Sequence, residues 1–245
     1  MDFFAFLPAA LLVLAATSLG AFGILAFRKI GRVGHAVMLS FSAGVMGFSV
    51  LELLANSHSS AGDATAVLGF LSGLVFLVAI DRALPHIHLL MGRKKLELSS
   101  KKAALLAGSI SLHNIPEGIA VASAFAGSPA LGWLVASAIA LQDIPEGFLV
   151  SAPLACFGVG FGTCIGFGVL SGVVEFVAAV LGFFFLTAVT SAVPAALAFS
   201  GGAMTYVIFV ELLPDAWKEG EARVALLSFA FGAAFAAGVS VMFGF

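Results

Sequence analysis

The sequence predicts an all-α integral membrane protein of eight transmembrane helices with a pseudo-two-fold inverted repeat. Three observations predict it: an extreme apolar composition, eight long apolar runs, and one short motif repeated in two consecutive runs. Of 245 residues, 61% are apolar and 10% charged, and the mean hydropathy is +1.15. A soluble domain averages about 45–50% apolar and about 25% charged residues. Eight spans of about 20 residues use most of the chain and leave only short connections. This excludes a soluble enzyme, a disordered chain and a nucleic-acid binder. It makes the lipid bilayer the first partner.

The apolar runs cover 3–27, 33–55, 66–90, 103–126, 130–154, 159–187, 190–213 and 224–244. Lipid leaves backbone groups nothing to bond, so runs of this length are expected to be helices. Barrel strands would be about ten residues long and alternate in polarity. The first run follows Met1-Asp2 without a basic n-region, so it reads as a span and not a cleaved leader. The longest polar stretch, Met91 to Lys102, is too short to fold alone, so 1–245 is expected to be a single polytopic domain. Span six carries Gly158, Gly162 and Gly166 at every fourth residue, then Gly168 and Gly172. Small residues at that spacing permit tight static packing or a sliding interface. Cys156 and Cys164 lack neighbouring histidines and read as small buried hydrophobes.

The basic residues orient the chain. Arg28, Lys29 and Arg32 lie between spans one and two. Arg82 lies near the end of span three, Arg93, Lys94, Lys95, Lys101 and Lys102 join three to four, and Lys218 and Arg223 join seven to eight. With eight spans all of them share one side, which the positive-inside rule makes cytoplasmic. Both termini are then extracytoplasmic, in a multi-pass protein of the cell (inner) membrane.

The chemistry sits in two segments that repeat one another. They are Leu112-His113-Asn114-Ile115-Pro116-Glu117-Gly118 and Leu141-Gln142-Asp143-Ile144-Pro145-Glu146-Gly147. Each lies near mid-span on consecutive, antiparallel helices, the pattern of a transporter built from inverted repeats. His113, Asn114 and Glu117 share one helix face, and Gln142, Asp143 and Glu146 repeat the arrangement. Each proline leaves a carbonyl unbonded four residues earlier, at Leu112 and Leu141, and is expected to kink its helix. Gly118 and Gly147 allow another helix to come close.

Span six adds Glu175 at mid-span. Four acids at depth cost about 2.5–3.5 kcal/mol each, roughly 10–14 kcal/mol together, and no lysine or arginine lies at that depth. They must be protonated and bonded to one another, or hold a cation. One imidazole, several carboxylates and two amides without thiolate favour a divalent first-row metal, zinc foremost. The metal site would lie between spans four, five and six. Four acids and a histidine exceed one tetrahedral zinc, which fits two metals bridged by Glu117 and Glu146.

These residues resemble the ZIP (Zrt/Irt-like) family of divalent metal transporters. The second motif is similar to that of its prokaryotic GufA-like branch. The resemblance implies a main metal site of His113, Glu117, Gln142, Asp143 and Glu146. It implies an adjoining site of Asn114, Glu117, Asp143, Glu146 and Glu175, with Met46 as the family's span-two methionine near the metal. It further implies metal movement into the cytoplasm by a bundle sliding on a scaffold, often in a homodimer. His86 and His88, with Glu211 and Asp215, are a cytoplasmic release or sensing site or ordinary interfacial residues. Glu52 either receives metal from outside or is a solvated helix end. Unlike many relatives, the chain has no histidine-rich cytoplasmic loop.

The expected substrate is Zn²⁺, with Fe²⁺, Mn²⁺ and Cd²⁺ as alternatives, and no organic cofactor is expected. A metal-selective channel is the alternative to a carrier. An intramembrane metalloenzyme is disfavoured because His-Glu-x-x-His and Glu-x-x-His are both absent.

Overall fold

Backbone N–H and C=O groups surrounded by hydrocarbon must bond within their own segment. In the computed structural model, which describes residues 2–27, 31–83, 113–156 and 159–242, every regular element is accordingly a helix. Helix α1 (Phe3–Phe22) starts at Asp2, whose side chain accepts the Phe4 N–H at 2.9 Å. There follow α2 (Arg32–Ala83), α3 (Asn114–Gly127), α4 (Pro129–Cys156), α5 (Phe161–Ala188) and α6 (Val193–Tyr206). A π-helical turn (Val207–Leu212), α7 (Leu213–Glu219) and α8 (Ala222–Met242) complete the order.

The long helix α2 departs from expectation. The expected loop 56–65 is helical on both sides of Gly62, which alone leaves helical geometry at φ 76°, ψ 180°. Only glycine occupies that region readily. The two arms then run in opposite directions along α6. In the first arm Ser57 donates to the Pro194 carbonyl, Leu54 packs at Gly201 and Gly47 lies by Ile208. In the second, Gly69 lies by Ala195, Gly73 by Phe199, and Asp81 accepts from Tyr206. One residue reverses the chain, so no multi-residue loop is needed.

Six stretches among the described residues are long and apolar enough to cross a membrane, the 51-residue one being the folded-back α2. The protein is a multi-pass membrane protein. The described part of α3 has 14 residues, and its expected beginning at 103–112 lies outside the described residues. So do residues 84–102, with His86 and His88.

Large apolar side chains face outward, such as Leu227, Leu68 and Phe184, while Asn114, Glu117, Gln142, Asp143, Ser171 and Glu175 are wholly enclosed. This inversion is what a lipid solvent selects. Lipid tails give no hydrophobic drive for helices to associate, so close packing must hold the bundle. The helices α1, α3, α4 and α5 pack mainly on one another, and α2, α6 and α8 form a second group. At one end Phe6 stacks on Phe183 with centroids 4.3 Å apart and binds α1 to α5.

Glycines set the closest approaches. A methyl on Gly118 would strike the backbone of Glu175 and Ala179 on α5, and one on Gly147 would strike Thr17 and Ala21 on α1. Within the second group, Gly44 meets the Phe229 carbonyl and Gly232 the Phe41 carbonyl. Gly73 meets Phe199 and Gly202 meets Phe70 in the same reciprocal way. In span six the every-fourth stripe is not the contact. Gly162 and Gly166 face open space, whereas Gly168 and Gly172 pack on α1. Gly158 lies outside the described residues.

Candidate metal centre

Each motif glycine brings a neighbouring helix against the acid that precedes it. Gly118, beside Glu117, admits the α5 backbone at Glu175 itself, so that acid joins the site through a backbone contact. Gly147, beside Glu146, seats α4 on α1. Helix α4 runs through Pro145 without ending. The Ser42 hydroxyl of α2 donates to the Gln142 carbonyl one residue beyond the carbonyl that Pro145 leaves free, at 3.3 Å. In α3, Pro116 lies two residues after Asn114, where the described part of the helix begins. Leu112 lies outside the described residues.

The carboxylates of Glu117, Asp143 and Glu146 converge, each offering an oxygen within 4.8 Å of the others. Glu175 faces Asp143, Asn114 and Thr17. The Gln142 amide donates to Glu117 Oε1, and the Ser171 hydroxyl donates to Asn114 Oδ1 at 3.2 Å. After these bonds Glu117 Oε2, Gln142 Oε1, both Asp143 oxygens and both Glu175 oxygens are buried without a hydrogen-bond donor. Each such orphan costs about 1–3 kcal/mol, more when charged. Among the described residues, no lysine or arginine pairs with any of these acids. Oxygen acceptors pointed inward without donors are what a cation needs. Carboxylate, amide and imidazole without thiolate suit zinc, manganese or iron.

His113 is not among the side chains that converge there, although Glu146 acts electrostatically on its ring. Its Nε2 pairs with Glu211 Oε2 at 2.7 Å, across from α3 to the π-helical turn. Glu211, expected at the inner end of span seven as a release or sensing residue or an ordinary interfacial one, thus touches His113. The wide turn follows from Pro214, which has no N–H for the carbonyl four residues earlier, and such turns re-aim side chains. Glu52 and Asp215 are not among the converging acids. Met46 is buried in the main apolar core, and Glu52 accepts from Ser240 at 3.2 Å against α8. Asp215 pairs with Lys218 at 2.7 Å near the surface.

Sequence reasoning passed over Asp81 and Tyr206, joined at 2.7 Å, with Asp81 in the electrostatic field of His113. The signal was available: Asp81 is an acid inside an apolar run, although Arg82 beside it reads as a helix end. Ser42 and Ser171 gave no signal, because serines are common in small-residue helix contacts.

Residues 91–245 match the family model described as ZIP Zinc transporter. The chain is 34% identical over 238 residues to Zinc transporter GufA of Myxococcus xanthus, covering 92% of this chain and 94% of the relative. It is 34% identical to Zinc transporter ZupT of Chlorobaculum parvum, covering 88% and 90%. A further ZupT, from Salmonella newport, is 38% identical over 83% of each chain. The chain belongs to the ZIP family. That family is one of transporters and not enzymes, and its members' names agree with a centre built for divalent metal. The match covers the motif helices α3 and α4, which carry the converging acids, and α5 with Glu175.

Proposed function

We propose that this chain is an uptake transporter that carries divalent metal, zinc foremost, into the cytoplasm through the midplane site. The observation that carries the reading is the convergence of Glu117, Asp143 and Glu146 inside a membrane bundle, with no lysine or arginine partner among the described residues. His113, Glu117, Gln142, Asp143 and Glu146 hold one metal, and Asn114, Glu117, Asp143, Glu146 and Glu175 a second. Fe²⁺, Mn²⁺ and Cd²⁺ compete for the same donors. Metal enters by way of Glu52 and Met46 and leaves past Glu211, Asp215, His86 and His88.

The proposed frame is a single domain of eight spans with both termini extracytoplasmic in the inner membrane, assembled as a homodimer. Supporting eight spans, the α2 arms are antiparallel and α3 continues a longer apolar run. Supporting the inverted repeat, Gly118 on α5 and Gly147 on α1 make the same approach to residues i and i+4 of their partner helix. The Phe-x-x-Gly pairs on α2 with α8 and on α2 with α6 repeat that correspondence. Supporting one cytoplasmic side, Arg32 donates to the Lys218 carbonyl at 2.8 Å, joining two loops expected there. Supporting movement between two bodies, the motif helices α3 and α4 pack more with α1 and α5 than with the α2, α6 and α8 group.

Zinc-65 uptake into proteoliposomes tests the reading. The wild type takes up zinc with saturation at micromolar metal, and Glu146→Ala loses uptake at least about 100-fold, the loss of a metal ligand exceeding that of an outer partner. Equal uptake by both removes the assigned site. A linear, voltage-driven flux makes the protein a channel.

A further inference from the structure

We infer that Glu211 is a positioning residue that holds the His113 ring so that Nδ1, not Nε2, is the atom presented to metal. The inference rests on the function proposed above and assigns a division of labour within the site. Three observations carry it. The imidazole Nε2 donates to Glu211 Oε2 at 2.7 Å. The opposite ring nitrogen, Nδ1, is buried and has no hydrogen-bond partner. The carboxylates charged toward the ring include Glu146, a member of the converging cluster.

A neutral imidazole carries one proton. With that proton on Nε2 and engaged by Glu211, Nδ1 is left with its lone pair and no donor. In the neutral ring that a metal requires, Nδ1 is then the atom with a lone pair free for a cation. Ligating histidines generally donate their other ring N–H to a carboxylate or carbonyl, which fixes tautomer and orientation. Here the carboxylate comes from outside the helix pair that carries the motifs. It sits on the π-helical turn after α6, in the group formed by α2, α6 and α8. Ring orientation therefore depends on how the two helix groups are placed. Displacing α3 from that turn releases the ring and weakens the site without touching a carboxylate ligand.

The test uses the full chain in detergent, with zinc affinity by titration and cadmium-113 as a spectroscopic probe. Glu211→Ala weakens zinc binding by about 10–100-fold, the range for loss of an outer partner. In a His113→Ala background the same change adds less than about two-fold, because both act through one ring. Losses that multiply in the double variant make Glu211 an independent ligand and overturn the inference. Should the variants fail to fold, nitrogen-15 labelled wild type decides alone: coupling of cadmium-113 to Nδ1 supports the inference, and coupling to Nε2 overturns it. Wild type that binds neither metal overturns the proposed function itself. Wild type that binds while Glu211→Ala binds equally well overturns only the positioning role.

Discussion

Replacing Asp143 by alanine separates a metal site from a merely polar core. Asp143 is wholly enclosed, neither of its oxygens has a donor, and it is one of three converging carboxylates. Zinc at about 100 times its Kd stabilises the wild type by about 2.7 kcal/mol. For a chain of this size that raises the unfolding temperature by roughly 5–11 °C, at about 2–4 °C per kcal/mol. Losing an outer partner costs about 10–100-fold in affinity, so losing a direct ligand costs at least about 100-fold. The same zinc then stands near Kd and stabilises by about 0.4 kcal/mol, a shift of about 1–2 °C. Without metal the variant is no less stable than the wild type, since an unpaired acid at mid-span costs about 2.5–3.5 kcal/mol. Thermal unfolding in detergent, with zinc and with chelator, measures both quantities. Asp63→Ala is the control, as that acid is 90% exposed beside His58. If Asp143→Ala keeps more than half of the zinc shift, the carboxylate holds no metal and the reasoning fails.

The other predictions concern the frame. Gly62→Ala forces a side chain into a backbone region closed to it and destabilises by about 1–3 kcal/mol, with the zinc shift unchanged. An unaltered unfolding temperature would show that the hairpin does not need that geometry. Gly147→Ala overpacks α4 on α1 and costs about 1–3 kcal/mol. Gly162→Ala, which meets open space, stays within about 0.5 kcal/mol, and equal losses at the two positions refute the packing argument.

Membrane character, helical class and the two Pro-Glu motifs were legible because each is a one-dimensional property. A bilayer thickness sets run length, and helical period puts His113, Asn114 and Glu117 on one face whatever the neighbours are. The role of Gly118 and Gly147 as approach points was legible for the same reason, since each adjoins a buried acid. The hairpin at Gly62 was not, because a polar stretch such as Ser57 to Asp63 reads as a loop whether one residue turns the chain or ten do. The stripe of Gly162 and Gly166 misled because spacing says which residues align and not which side meets a neighbour.

The acids in the oil, their motif and the absence of a basic counter-charge were determined by the sequence alone, since depth and residue type follow from position along an apolar run. Only the tertiary structure decided which oxygens remain without donors, and that Glu211, on another helix group, faces His113. Those facts depend on how helices remote in the chain approach one another. That distance is set by small-residue contacts between backbones, which no single helix's pattern encodes.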